Sequence, residues 1–289
     1  MLITIHFERF LLYNKSMEIK SYLNGSVKNG YLLKWPKMPV SVYIAPMKFY
    51  SKQGEDAIYR KLVIQAMNEW QQASDGLVQF YIVDALLNSQ INIDWRRVDR
   101  KALGHCQYFY DNLQRLYGAE VSIGLTDGKI HKAYDSQSEV YHTILHEIGH
   151  ALGLGHSPYE NDIMYTPHRY GITSLSDNDA FSIQCLYTFP AGKSVREIGA
   201  QYSVMTDNNM DMIIQKLDEK YAQDMAENGD IIVPENEAPM YMQGVRNLLD
   251  ETTNIAEIQK YNLSMQNIGL SDKMQQFFNS QHRDNNLGK

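Results

Sequence analysis

Cysteine is nearly absent, with Cys106 and Cys185 the only two in 289 residues. Two are too few for a disulfide framework, and both are expected as reduced thiols. No uninterrupted apolar run approaches the 18 residues of a candidate membrane helix, so no membrane span is expected. Basic residues are outnumbered: 27 Lys and Arg stand against 34 Asp and Glu. The resulting net charge of −7 speaks against nucleic acid as a partner. The apolar positions of the first 20 residues are interrupted by Glu8 and Arg9, and no small-residue cleavage site follows, so no signal peptide is expected. There is no internal repeat. What is present is a globular composition, 44% hydrophobic and 21% charged, which supplies a core. The length suits about two domains at roughly 150 residues each.

Local patterns organise the chain. Trp35 to Pro39 reads as an entry segment, and residues 40–44 alternate like a half-buried strand. Residues 55–74 carry Ile58, Leu62, Ala66, Met67 and Trp70 at helical spacing, and Asp75-Gly76 closes them with a turn. Residues 77–83, 91–95, 102–110 and 120–125 read as strands, with a turn at Asp127-Gly128. Ser136 and Glu139 fit a capping box that opens a helix running to about Leu152, where Gly153 and Gly155 end it. A loop over 156–175 leads to a closing helix over 176–187. After Pro190 the chain turns acidic and methionine-rich. One amphipathic helix is expected there through Met210, Ile214, Leu217, Tyr221 and Met225, and a second through residues 245–258. The last ten residues read as disordered.

The chemistry concentrates in residues 146–156, HEIGHALGLGH. On a helix, His146 and His150 lie one turn apart on one face, so two imidazoles can converge on one ion. Glu147 sits beside them without being a ligand, where a carboxylate can take a proton from a metal-activated water. Gly153 lets the chain reverse so that His156 supplies a third nitrogen. Three neutral imidazoles and a water make a catalytic zinc site with one open position. The pattern H-E-x-x-H-x-x-G-x-x-H arises by chance on the order of once in tens of thousands of such chains. Met164, eight residues after His156, fits a methionine-bearing turn beneath the metal.

From about Trp35 to Tyr187 the sequence resembles the matrixins, the matrix-metalloproteinase branch of the metzincins. The resemblance rests on the zinc motif, on Ser157 directly after the third histidine, on Leu103-Gly104-His105-Cys106 and on the run from Leu175 to Tyr187. Thr166 stands two residues after Met164, so no tyrosine switch ligand is expected. The resemblance implies an α+β, metzincin-type twisted mixed five-stranded sheet with three helices and an active-site cleft along the edge strand, followed by a helical C-terminal extension. It implies one catalytic zinc. The family's His-x-Asp pair is missing between Asn92 and Arg100, so a second structural zinc, or a calcium, is not expected. The prodomain motif Pro-Arg-Cys-Gly is also missing. The resemblance suggests a secreted protein.

The expected domains are an N-terminal segment over 1–34, a zinc-peptidase domain over 35–189, and an acidic, mostly helical extension over 190–289. The expected function is hydrolysis of peptide bonds in protein substrates through a zinc-activated water. His146, His150 and His156 are the metal ligands, Glu147 is the general base and acid, and Met164 forms the Met-turn. Leu103, Gly104, His105 and Tyr165 are expected to bind substrate, which adds as a strand near 103–107. The loop over 165–175 walls the pocket just beyond the scissile bond. His142 is read as helix packing, and His131 and His168 as surface residues. The extension suits docking on a protein partner or on the domain itself, and is expected to be dispensable for peptide hydrolysis. Two other readings stay open: a non-proteolytic zinc protein, against which the intact Glu147 argues, and an amidohydrolase or exopeptidase with a closed site.

Overall fold

The computed structural model describes residues 19–47, 55–97, 102–125, 134, 136–206 and 208–228. Its centre is a five-stranded mixed sheet. In chain order the chain forms a short hairpin, β1 (Val27–Lys28) and β2 (Tyr31–Leu32), then β3 (Val40–Ile44), helix α1 (Glu55–Ala73), β4 (Phe80–Ile82), β5 (Ile91–Arg97), β6 (Gly104–Tyr110) and β7 (Leu116–Leu125). Helices α2 (Gln137–Ala151), α3 (Asp177–Thr188), α4 (Val195–Gln201) and α5 (Met210–Asn228) follow. The large sheet runs β4-β3-β5-β7-β6, parallel except for the antiparallel pairing of β6 with β7. This is the expected metzincin-like matrixin architecture: α1, α2 and α3 are the three helices of the expected peptidase domain, and α4 and α5 lie in the extension beyond residue 189.

The strands form where one face can be buried. Ile91, Ile93 and Trp95 of β5 and Ala119, Val121 and Ile123 of β7 alternate into the core. Register sets Ile93 beside Val121 and Val121 beside Cys106. Helix α2 packs on β6 and β7 and against α1. Two tryptophans tie the layers: Trp70 donates to Leu145 O at 3.0 Å and Trp35 donates to Ala151 O at 2.8 Å. No described helix is long and apolar enough to cross a membrane.

Several boundaries differ from expectation. The strand expected over 77–83 shortens to Phe80–Ile82 because the preceding residues serve the turn. Val78 N donates to Ser74 Oγ and Phe80 N to Gln71 Oε1, while Asp75 and Gly76 both take positive φ. The capping box at α2 is half made: Ser136 Oγ accepts from Glu139 N, but the Glu139 carboxylate turns away to His168 and Gly171. Complete boxes form at Ser176/Asp179 and at Ser194/Glu197, the latter opening α4. The capping box of α4 corresponds to a Ser-x-x-Glu signal in the sequence. The expected turn at Asp127-Gly128, His131, the helix over 245–258 and the last ten residues lie outside the described residues.

One core runs through the whole described chain. Tyr22, Leu23, Leu32 and Leu33 enter it from the N-terminal segment, and Val195, Ile198, Met210, Ile213 and Ile214 enter it from beyond Pro190. Val195 N donates to Gly30 O at 2.8 Å, and Tyr31 bridges Ser194, so the β1–β2 hairpin and α4 meet directly. The expected divisions at 34 and 189 cut through this shared core.

Candidate metal and catalytic centre

Helix α2 carries His146, Glu147 and His150 in its last turns. It stops at Leu152 because Gly153 takes φ +98, and a Cβ there would sit 2.0 Å from Leu33 O. Both the backbone angle and the contact demand glycine. Gly153→Ala is expected to lower stability by about 2 kcal/mol or more, read as a lower midpoint in thermal denaturation. An unchanged midpoint would mean that the reversal leading to His156 can form another way.

The reversed chain supplies the groups that orient the rings. His146 Nδ1 lies 2.7 Å from Ile163 O and His150 Nδ1 lies 2.8 Å from Leu154 O. A carbonyl only accepts, so each Nδ1 carries the proton and each Nε2 presents a lone pair. His156 closes the group, with its Nε2 3.2 Å from that of His150. The ligand atoms of all three lie within 4.8 Å of one another, and this is the one such group of His, Cys, Asp or Glu among the described residues. Burial and the neighbouring imidazoles hold His146 well below the usual histidine range; burial above all takes His150 to about 4 and lowers His156. The rings are therefore neutral at pH 7, as metal ligands must be. Zinc–nitrogen bonds of about 2.05 Å in a tetrahedron set ligand nitrogens about 3.3 Å apart, so the observed pair fits that ion.

Glu147 is 6% exposed, and burial pushes its carboxyl up to about 8 against the pull of Arg96. It lies against β6, where a Cβ on Gly104 would come 2.5 Å from its Oε1. β6 is one of the sheet's two edge strands. Gly124 N donates to Leu103 O at 2.8 Å, so that pair faces inward. The antiparallel alternation then turns the N–H and C=O groups of Gly104, Cys106 and Tyr108 to the open edge. His105 is exposed on the same strand. Cys106 is free, and burial, with Glu147 nearby, holds its thiol far above the usual range, so it is no thiolate.

Met164 is fully buried, its carbonyl accepting from Ser157 N at 2.9 Å. A Cβ on Gly149 would lie 2.3 Å from Met164 Sδ, so the helix can rest on this methionine only because residue 149 has no side chain. Two buried carboxylates brace the turn. Asp162 accepts from Ser157 Oγ and from Ser176 Oγ at 2.7 Å; Asp179 accepts from Ile163 N at 2.8 Å and Tyr22 Oη at 2.6 Å. Gly149, Asp162, Asp179 and Tyr22 were not singled out from sequence.

The loop over 165–175 is fastened to α2 and α1. Glu139 accepts from His168 Nε2 at 2.8 Å and from Gly171 N at 3.0 Å, His142 Nδ1 donates to Ile172 O at 2.7 Å, and Glu69 accepts from Leu175 N at 2.8 Å. The surface role expected of His168 is thereby corrected: its ring lies 4.0 Å from that of His142, tied inward by the Glu139 carboxylate. His142 is buried, and burial takes it to about 4. Tyr165, half-buried, bridges Ser157 and carries Arg169 over its ring.

Against known proteins, the sequence profile of the matrixins, peptidase family M10, matches residues 34–188, more than half of the chain. A protein of Trichoplusia ni ascovirus 2c named "Putative matrix metalloproteinase" is 31% identical over 150 residues, 48% of this chain and 26% of that protein. Matrix metalloproteinase-A of Caenorhabditis elegans is 26% identical over 147 residues, 48% of this chain and 27% of its own length. The chain thus spans about a quarter of the length of the curated relatives it matches.

Proposed function

The chain belongs to the matrixin family, and from that premise we propose that it is a zinc-dependent metalloendopeptidase acting on protein substrates. The observation that carries this reading is the convergence of three neutral imidazoles beside a buried carboxyl at an open sheet edge. His146, His150 and His156 would hold the ion through Nε2. When bound, zinc supplies a more acidic water and a positive charge for the scissile carbonyl.

The chain's own residues do the rest. Glu147 takes the proton from the attacking water and passes it to the leaving amine. The edge of β6 binds extended peptide as an added strand through the outward N–H and C=O groups of Gly104, Cys106 and Tyr108. Tyr165 and the loop after it wall the pocket for the residue just beyond the scissile bond, with Glu139 and His142 keeping the wall in place. Ile163 O and Leu154 O keep the rings of His146 and His150 turned toward one point.

The test joins metal content to cleavage. Purified full chain is expected to hold one zinc, lost in His146→Ala and His150→Ala. It is expected to cut end-blocked peptides and denatured casein internally, to stop with a chelator, and to recover when zinc is restored. Absence of zinc, or cleavage indifferent to the chelator, would sink the reading. Cleavage confined to chain ends would make it an exopeptidase.

A further inference from the structure

The C-terminal extension begins by knotting itself to the N-terminal segment. Asp211, in the first turn of α5, accepts through Oδ1 from Leu23 N at 2.8 Å and from the Ser21 hydroxyl, and through Oδ2 from Asn24 N at 3.2 Å. Asn24 returns the contact: its Oδ1 accepts from Met210 N at 2.8 Å and Asp211 N at 3.3 Å, and its Nδ2 donates to Asn209 Oδ1 at 3.1 Å. Met210, Ile213 and Ile214 bury themselves beneath this knot. Two chain segments nearly 190 residues apart in sequence therefore satisfy each other's backbone donors, which neither could do alone.

The knotted turn lies against the backbone that bears the third histidine. Ser26 is fully buried, and its Oγ accepts from Gly155 N at 3.2 Å. Gly25 and Gly155 meet backbone to backbone: a Cβ on Gly155 would lie 2.5 Å from the carbonyl carbon of Gly25. His156 follows immediately. His146 and His150 are each aimed by a carbonyl on Nδ1. The exposed ring of His156 has no carbonyl partner among the described residues, so its position depends on the backbone it hangs from.

We propose that the start of the extension is a positioning element for the third metal ligand: Asp211 and Asn24 fix the turn over residues 21–26, and that turn fixes the backbone at Gly155 and His156. This rests on the reading of the three histidines as a zinc site. A ligand whose backbone is loosened spends less time in binding geometry, so the zinc should leave faster while the fold persists.

The experiment measures zinc transfer from the full-length holoprotein to a chromophoric chelator, well below the unfolding temperature, with circular dichroism confirming the fold. Asp211→Ala and Asn24→Ala are compared with the parent and with Val195→Ala, which opens the core under α4 without touching the knot. Release is expected to be at least tenfold faster in Asp211→Ala and Asn24→Ala, and within twofold of the parent in Val195→Ala. Rates within twofold of the parent in both knot variants overturn the proposal. So does equal acceleration in Val195→Ala, which would trace the effect to general stability. If neither knot variant folds, the knot serves the fold and not the ligand, and the proposal fails. A parent chain that holds no zinc defeats the reading of the site itself.

Discussion

Glu147→Ala is expected to fold, keep its zinc, and lose about a thousandfold or more in kcat/KM on peptides, since one side chain would serve as base in the first proton transfer and acid in the second. Burial that pushes its carboxyl up to about 8 marks a group kept in place at a cost to stability. The Glu147→Gln variant sharpens the test. It preserves shape and zinc but cannot take a proton, so it should be as inactive as the alanine. Zinc content, thermal midpoint and kcat/KM measured on the same preparations decide it. Activity within about tenfold of the parent would assign the proton transfers to another group.

The ligands were legible because their spacing is a property of the helix. A period of 3.6 residues makes His146 and His150 neighbours whatever the rest of the chain does, and a glycine at 153 announces the reversal that brings His156 back. What the sequence concealed is whatever depends on the return path. The carbonyls that aim the rings belong to Ile163 and Leu154, and a backbone carbonyl has no residue type to betray it. Gly149 looked like an ordinary helix position until Met164 came up beneath it. Glu139 reads as the second half of a capping box by its spacing, yet a loop some thirty residues later offers it a histidine and a free N–H. Tyr22 and Asp179 lie 157 residues apart, beyond the reach of any periodicity. The strands were legible in number and in place along the chain, while their ends were set by side chains competing for backbone donors, as Ser74 and Gln71 do before β4.

A chain ending at residue 189 is expected to be strongly destabilised, and unfolded or aggregated near 37 °C. The sequence suggested otherwise: Pro190 follows the closing helix, the composition shifts there, and no cluster of His or Cys lies beyond it. The packing overrides that impression. Val195, Ile198, Met210, Ile213 and Ile214 are at most 3% exposed, and their removal would also uncover Tyr22 and Leu23 on the facing segment. Burying each such side chain contributes roughly 1.5–3 kcal/mol. Five of them amount to roughly 10 kcal/mol, as large as the whole stability of a typical domain at about 5–15 kcal/mol. Cutting there would also strand the backbone donors of Leu23 and Asn24 that Asp211 satisfies, and the Gly30 carbonyl that Val195 N serves. A chain ending at 228 keeps all of these contacts and is expected to fold with a thermal midpoint near that of the full chain. Comparing the two truncations by thermal denaturation and zinc content separates the possibilities. If the chain ending at 189 melts within a few degrees of the one ending at 228 and cuts short peptides as fast, α4 and α5 are lodgers on a self-sufficient domain, and their burial reflects docking rather than support.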